Sequence, residues 1–147
     1  MEIISKSLHE TMEFGQKISA DLNGGDILCL HGDLGAGKTS LVKGLALGLG
    51  IKKDVTSPTF ALMNVYEIDN DQGVINKLVH IDTYRLKNEE ELIDIGVEDF
   101  LGMPDNVCVI EWPEKIERLL EDKTIKTAKI KHGHGNTRTI LYMEDAK

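Results

Sequence analysis

Positive charge is in short supply in this chain. Seventeen lysines and arginines face 25 aspartates and glutamates, leaving a net charge of −8. That excludes a protein that holds nucleic acid through its own general field, while still allowing a local basic patch. Long apolar runs are also missing, and none approaches the length of a membrane span. The first residues, Met1-Glu2-Ile3-Ile4-Ser5-Lys6, lack the apolar core of a signal peptide, so the cytosol is the expected compartment. Cysteine is nearly absent. Cys29 and Cys108 both fall in apolar runs and read as reduced, buried thiols, with a disulfide or a reactive thiol as the alternative. No repeat, linker or low-complexity segment interrupts the chain. The 147 residues, of ordinary globular composition with few aromatics, fit a single domain over 1–147 with a real core.

What is present is more specific. Gly32-Asp33-Leu34-Gly35-Ala36-Gly37-Lys38-Thr39 fits G-x-x-x-x-G-K-[ST]. Such a loop works through its backbone: glycines let successive N–H groups turn inward and form a nest for phosphate oxygens. The helix that follows aims its positive dipole end at the same anion. Lys38 would reach the outer phosphates and the Thr39 hydroxyl would bind Mg²⁺. The four fixed positions arise by chance in roughly one chain per hundred of this size, so context decides. Ile27-Leu28-Cys29-Leu30-His31 precedes the loop and reads as a buried parallel strand. Leu41, Leu45 and Leu49 follow it at helical spacing, with Gly48 and Gly50 as the stop.

The rest of the chain supplies a layered α/β pattern. Glu2–Ser5 reads as an edge strand. Ser7-Leu8-His9-Glu10 matches a helix-opening capping box, and the helix runs to Leu22 with Leu8, Met12, Ile18 and Leu22 near one face. Phe60 to Ile68 alternates, Asp69-Asn70-Asp71-Gln72-Gly73 turns, and Val74 to Ile81 returns, which predicts a β-hairpin. An acidic helical region covers Asn88 to Leu101. Val107-Cys108-Val109-Ile110 is a second buried strand, and Pro113 to Leu120 a helix with proline at its start. Thr124 to Lys131 and Thr137 to Met143 flank a His-Gly-rich turn as a second hairpin. The expected fold is α/β, with a central mixed parallel and antiparallel sheet flanked by helices. Phosphate would sit at the carboxyl end of its first core strand.

A phosphate loop needs an acidic partner at the end of another buried strand. Glu111 closes the more apolar run and is the first candidate, to hold a metal-bound water or orient an attacking one. Its alternative is a helix-start carboxylate beside Pro113. Asp82 is the second candidate, with a structural bond to Arg85 or to a turn backbone as its alternative. Ser57-Pro58-Thr59 lies where a γ-phosphate sensor would, and Thr59 is its candidate contact. Only three arginines occur, Arg85, Arg118 and Arg138. That is too few for the arginine-rich lid with which small-molecule kinases close over ATP. Arg138, beside a hairpin turn, is a candidate to reach nucleotide or a partner, against solvation at the surface. Trp112 packs near the site, at an interface or in the core. His132 and His134 lack a third ligand and read as solvated turn residues. The guanine-selecting N-K-x-D element is missing: Asn76-Lys77-Leu78-Val79 puts valine at the aspartate position, which favours ATP over GTP.

Four motifs taken in order resemble the bacterial TsaE (YjeE) family over nearly the whole chain. They are the phosphate loop; Val55-Thr56-Ser57-Pro58-Thr59-Phe60; His80-Ile81-Asp82-Thr83-Tyr84-Arg85-Leu86; and Ile110-Glu111-Trp112-Pro113. The resemblance implies a small P-loop fold and slow, Mg²⁺-dependent ATP hydrolysis. It also implies assembly with TsaD and TsaB, which transfer a threonylcarbamoyl group to adenosine 37 of tRNA. The ATP cycle would then support turnover of that transferase, with tRNA met only through the complex. By motif position it implies a phosphate cradle over Asp33, Gly35, Ala36, Gly37, Lys38, Thr39 and Ser40. Mg²⁺ would lie at Thr39 and Glu111, with Asp82 as supporting acid and Lys38 as the catalytic cation. Ser57 to Thr59 would form a switch, and Thr11 would approach the adenine.

Overall fold

The computed structural model describes residues 1–33, 35–58, 61–68 and 73–144. Its strands are β1 (Glu2–Ser5), β2 (Ile27–His31), β3 (Met63–Glu67), β4 (Lys77–Asp82), β5 (Asn106–Glu111), β6 (Ile125–His132) and β7 (Arg138–Glu144). Its α-helices are α1 (Leu8–Asp21), α2 (Lys38–Gly48), α3 (Glu90–Asp94) and α4 (Glu117–Leu120). All seven strands join one sheet in the order β1-β7-β6-β2-β5-β4-β3. The four central strands, β6, β2, β5 and β4, run parallel. The flanking β3, β7 and β1 each pair antiparallel with their neighbours. Fold class and mixed sheet are therefore as the residue pattern predicts.

Central strands covered on both faces must be apolar on both faces. β5 accordingly has all six residues buried, and β2 its first four. Alternation sorts them. Leu28, Leu30, Val107 and Val109 pack under α1 and α2 with Phe14, Ile18, Leu41 and Leu45. Ile27, Cys29, Cys108 and Ile110 pack on the other side with Leu86, Leu92, Leu101 and Ile116. Both cysteines are buried, and no disulfide joins them among the described residues. Burial pushes the Cys108 thiol up to about 12.

The α1 cap is in place: the Ser7 side chain accepts from the Glu10 N–H at 3.0 Å. Glu10 reaches back to the N–H of Lys6, at 2.6 Å, one residue earlier than in the usual box. The buried stripe of α1 is Thr11, Phe14, Gly15, Ile18 and Ser19. Leu8 does not share it and is exposed, because it opens the helix before the stripe turns toward α2. The two helices approach closely at Gly15 and Gly44: a methyl on either would run into backbone of the other helix. α2 ends at Gly48, with Gly50 left-handed behind it.

The first hairpin is present but shorter than its alternation suggests. β3 begins at Met63, because Leu62 has φ of 65° and so leaves extended geometry. β4 begins at Lys77, with Val74 standing out in solvent. Pro113–Ile116 is a 3₁₀ turn leading into α4, so the second half alone of that predicted helix is α-helical.

Candidate active site

β2 delivers the phosphate loop to the carboxyl end of the parallel core. Gly35 and Gly37 take φ of 78° and 103°, left-handed values that an L side chain resists. Gly37 is the N-cap of α2, so the turn and the helix dipole meet at the start of that helix. Lys38 is buried. Its ammonium donates to the Gly32 carbonyl at 2.7 Å and lies 3.8 Å from the centre of the Trp112 ring. Among the described residues no carboxylate comes within ion-pair distance of it. Burial pushes the Lys38 ammonium below its ordinary range. The carboxylates of Glu111, Asp82, Glu114 and Asp33 pull the other way at longer range. Thr39 is exposed on the first turn of α2, where a ligand can reach it.

The two acidic candidates end neighbouring parallel strands and stand opposite each other in register, Asp82 beside Glu111. Leu30, at the end of β2, lies on the other side of Glu111. The three strand ends therefore present loop, Glu111 and Asp82 side by side. Glu111 is buried, and its Oε2 is 2.7 Å from Nε2 of His80, which is fully buried. Nδ1 of His80 has no partner among the described residues. A neutral ring with its proton on Nε2 satisfies this arrangement, because an N–H left bare on Nδ1 would be the costlier orphan. Asp82 is half-buried. It accepts from the Ser57 hydroxyl at 3.0 Å and from the Tyr84 N–H at 2.9 Å. The turn-backbone bond offered as its structural alternative is thus present, together with a link to the Ser57 segment. Thr59 lies outside the described residues.

Trp112 sits beside the site. It holds φ of 61°, rare for a bulky residue. Its ring meets Lys38 on one hand and Tyr84 on the other, the two ring centres 5.1 Å apart. Thr83 fixes the turn by donating to the carbonyls of Glu111 and Trp112, at 3.0 and 2.5 Å.

Arg138 is neither solvated nor extended toward open space. It is buried, and its Nε donates to the Ala36 carbonyl at 2.8 Å, so it braces the loop from behind. Thr11 is fully enclosed, its hydroxyl 2.7 Å from that of Ser5 and 3.2 Å from the Ser7 carbonyl. Its side chain has no exposed surface to offer a base. His132 and His134 are exposed, as turn residues should be. His80 is the residue that sequence reasoning passed over as a functional group. Its signal was the strand period: His80 and Asp82 are two apart on β4 and share a face.

The oxygens available suit a hard cation: one hydroxyl at Thr39 and two carboxylates at adjoining strand ends. No group of three His, Cys, Asp or Glu side chains placed to hold a metal occurs among the described residues. A cation bound through one or two protein oxygens plus phosphate fits such a sparse set. The buried cations Lys38 and Arg138, both bonded to neutral groups, fit a polyanion.

Comparison with known proteins gives the family. The profile described as "Threonylcarbamoyl adenosine biosynthesis protein TsaE" matches residues 5–140. This chain belongs to the TsaE family. The tRNA threonylcarbamoyladenosine biosynthesis protein TsaE of Treponema pallidum is 42% identical over 125 residues, covering 85% of this chain and 87% of that protein. The TsaE protein of Bacillus subtilis is 39% identical over 133 residues, covering 90% and 78%. The crystal structure of Bacillus subtilis YdiB superposes with a TM-score of 0.71 at 32% identity, covering 99% of this chain and 86% of that one. The P-loop fold and a place in threonylcarbamoyladenosine biosynthesis come with the family. Among the described residues no helix is long and apolar enough to cross a membrane.

Proposed function

We propose that this protein is a Mg²⁺-dependent ATPase that serves threonylcarbamoyl transfer to adenosine 37 of tRNA as an accessory subunit of TsaD and TsaB. The observation that carries the reading is the juxtaposition at the strand ends. A buried lysine without an ion-pair partner among the described residues opens α2, and two carboxylates stand beside it on β4 and β5.

Each group then has a task. The loop from Asp33 through Gly35, Ala36 and Gly37 turns its amides to the phosphates, and Ser40 adds to the first turn of α2. Lys38 leaves the Gly32 carbonyl and the Trp112 ring for the outer phosphate oxygens, which repay its burial with a charge-assisted bond. Thr39 and Glu111 hold Mg²⁺ directly or through water, which when bound neutralises charge on the triphosphate. His80 keeps Glu111 aimed, and Asp82 links the site to Ser57. Thr59, next along that segment, contacts the γ-phosphate. Thr11 acts on the adenine side through backbone placement, because its hydroxyl is already engaged. The protein works in the cytoplasm and meets tRNA only through the complex.

The test is phosphate release from ATP by the isolated chain, with and without TsaD and TsaB, and with Mg²⁺ or a chelator. Slow release that rises with both partners and needs Mg²⁺ is expected. Transfer of the γ-phosphate to a small acceptor would replace this reading with a kinase. Release that ignores TsaD and TsaB would remove the accessory role.

A further inference from the structure

We infer that Arg138 is a positioning residue for the nucleotide site: it clamps the phosphate loop in its anion-binding shape and sets a fixed positive charge behind it. This rests on the loop's binding phosphate, as proposed above.

A nest that points its N–H groups at an anion must point its carbonyls away from it. Those carbonyls then need donors of their own when they face the protein. Arg138 supplies them. Its Nε donates to the Ala36 carbonyl at 2.8 Å, and its Nη2 stands 3.5 Å from that of Gly35. On the other side Nη1 donates to the carbonyls of Gly135 and Thr137, each at 3.0 Å. One planar guanidinium therefore ties the loop, between β2 and α2, to the turn joining β6 and β7. Ser5 of β1 pairs in register with Arg138 and keeps its backbone in the sheet. A methyl at Gly37 would come within 3.5 Å of Nε, so the loop lies directly on the clamp.

The charge has a second role. Arg138 is buried, and none of its bonds goes to a carboxylate among the described residues. A cation held only by neutral carbonyls keeps most of its field. That field adds to the helix dipole and to Lys38 at the phosphate position. Lysine would keep the charge but has no rigid fork to reach both sides at once.

The test measures pyrophosphate, ADP and ATP affinity of wild type, Arg138→Lys and Arg138→Gln. The readout is the fluorescence of Trp112, the single tryptophan, whose ring lies against Lys38. Thermal melts check the fold of each variant. Arg138→Lys should weaken all three ligands about tenfold and Arg138→Gln about a hundredfold, while kcat at saturating ATP stays within about threefold. A folded Arg138→Gln that binds as wild type does, or a loss confined to kcat, overturns the inference. A reading that needs no variant comes from the Arg138 Nε–H resonance of ¹⁵N-labelled wild type. It should exchange slowly with water and shift when pyrophosphate is added; fast exchange with no shift overturns the inference even if the variants fail to fold. Wild type that binds none of the three ligands would instead defeat the nucleotide reading itself.

Discussion

Replacing His80 by alanine isolates the burial of Glu111. The carboxylate and the ring are both inside the protein, 4% and 0% exposed, and meet at 2.7 Å. Removing the ring takes a hydrogen-bond donor away from a buried carboxylate, at about 1–3 kcal/mol or more. The space left by the ring adds to that cost. Domains of this size hold about 5–15 kcal/mol in total. The variant should therefore lose about 4 kcal/mol, a fall in Tm of about 10 °C or more. Urea denaturation measures it directly, and the slope of the transition should stay constant.

The double-mutant cycle separates this cause from simple loss of packing. In a Glu111→Gln background the buried charge is gone, so His80→Ala should cost markedly less, by about 1.5 kcal/mol or more. His80→Gln, which keeps a side-chain N–H donor, should recover part of the stability. A loss below about 1 kcal/mol, or equal losses with Glu111 and with Gln at 111, would refute the claim that His80 holds a buried carboxylate.

The remaining expectations concern the site and the core. Lys38→Ala should weaken ATP and pyrophosphate by roughly a hundredfold, about 3 kcal/mol, read by Trp112 fluorescence; unchanged ATP turnover would sink the site assignment. Glu111→Ala should keep ATP binding better than hydrolysis in a phosphate-release assay. Hydrolysis at the wild-type rate would move the role to Asp82. The Cys108 thiol, raised to about 12 by burial, keeps its proton at pH values where the unfolded thiol has lost it. The unfolded state then binds fewer protons, so stability falls as pH rises from about 8.5 toward 12. The fall is about 1.4 kcal/mol per pH unit, and Cys108→Ala should flatten that part of a urea stability profile; equal slopes would count against the assignment.

The parts of the site that sequence made legible are those built from short contiguous signals. Gly32 to Thr39 carries its strand, its turn and its helix with it, and Glu111 closes a strand whose burial is written in Val107-Cys108-Val109-Ile110. The parts that were not legible depend on register between distant segments. Arg138 looked like a turn arginine because nothing near it in sequence says that β7 carries it under the loop, 102 residues from Ala36. His80 looked like one polar residue in an apolar run until β4 and β5 were set side by side. Thr11 had the opposite fate. Its place near the start of α1 was legible, but the Ser5 hydroxyl that encloses it comes from a different element. Local left-handed geometry at Leu62 and Trp112 was equally hidden, since bulky residues rarely adopt it and no turn residue marks it.

These contacts divide the site into a fixed half and an adjustable half. The loop is fixed from two directions: α2 is pressed against α1 through backbone at Gly15 and Gly44, and Arg138 holds the loop's carbonyls. The first contact cannot relax without moving a helix, and the second requires several bonds of one guanidinium to break together. Across the strand ends Thr83 holds the turn, and the lighter links are single side-chain contacts, Ser57 to Asp82 and the Lys38 ammonium on the Trp112 ring. Side chains change rotamer far more readily than packed helices slide. A phosphate that drew Lys38 away would uncover one face of the Trp112 ring, which touches the exposed Tyr84 on the other. Nucleotide state would then be written on the Trp112–Tyr84 surface and the Ser57 segment, while the cradle that reads it stays still.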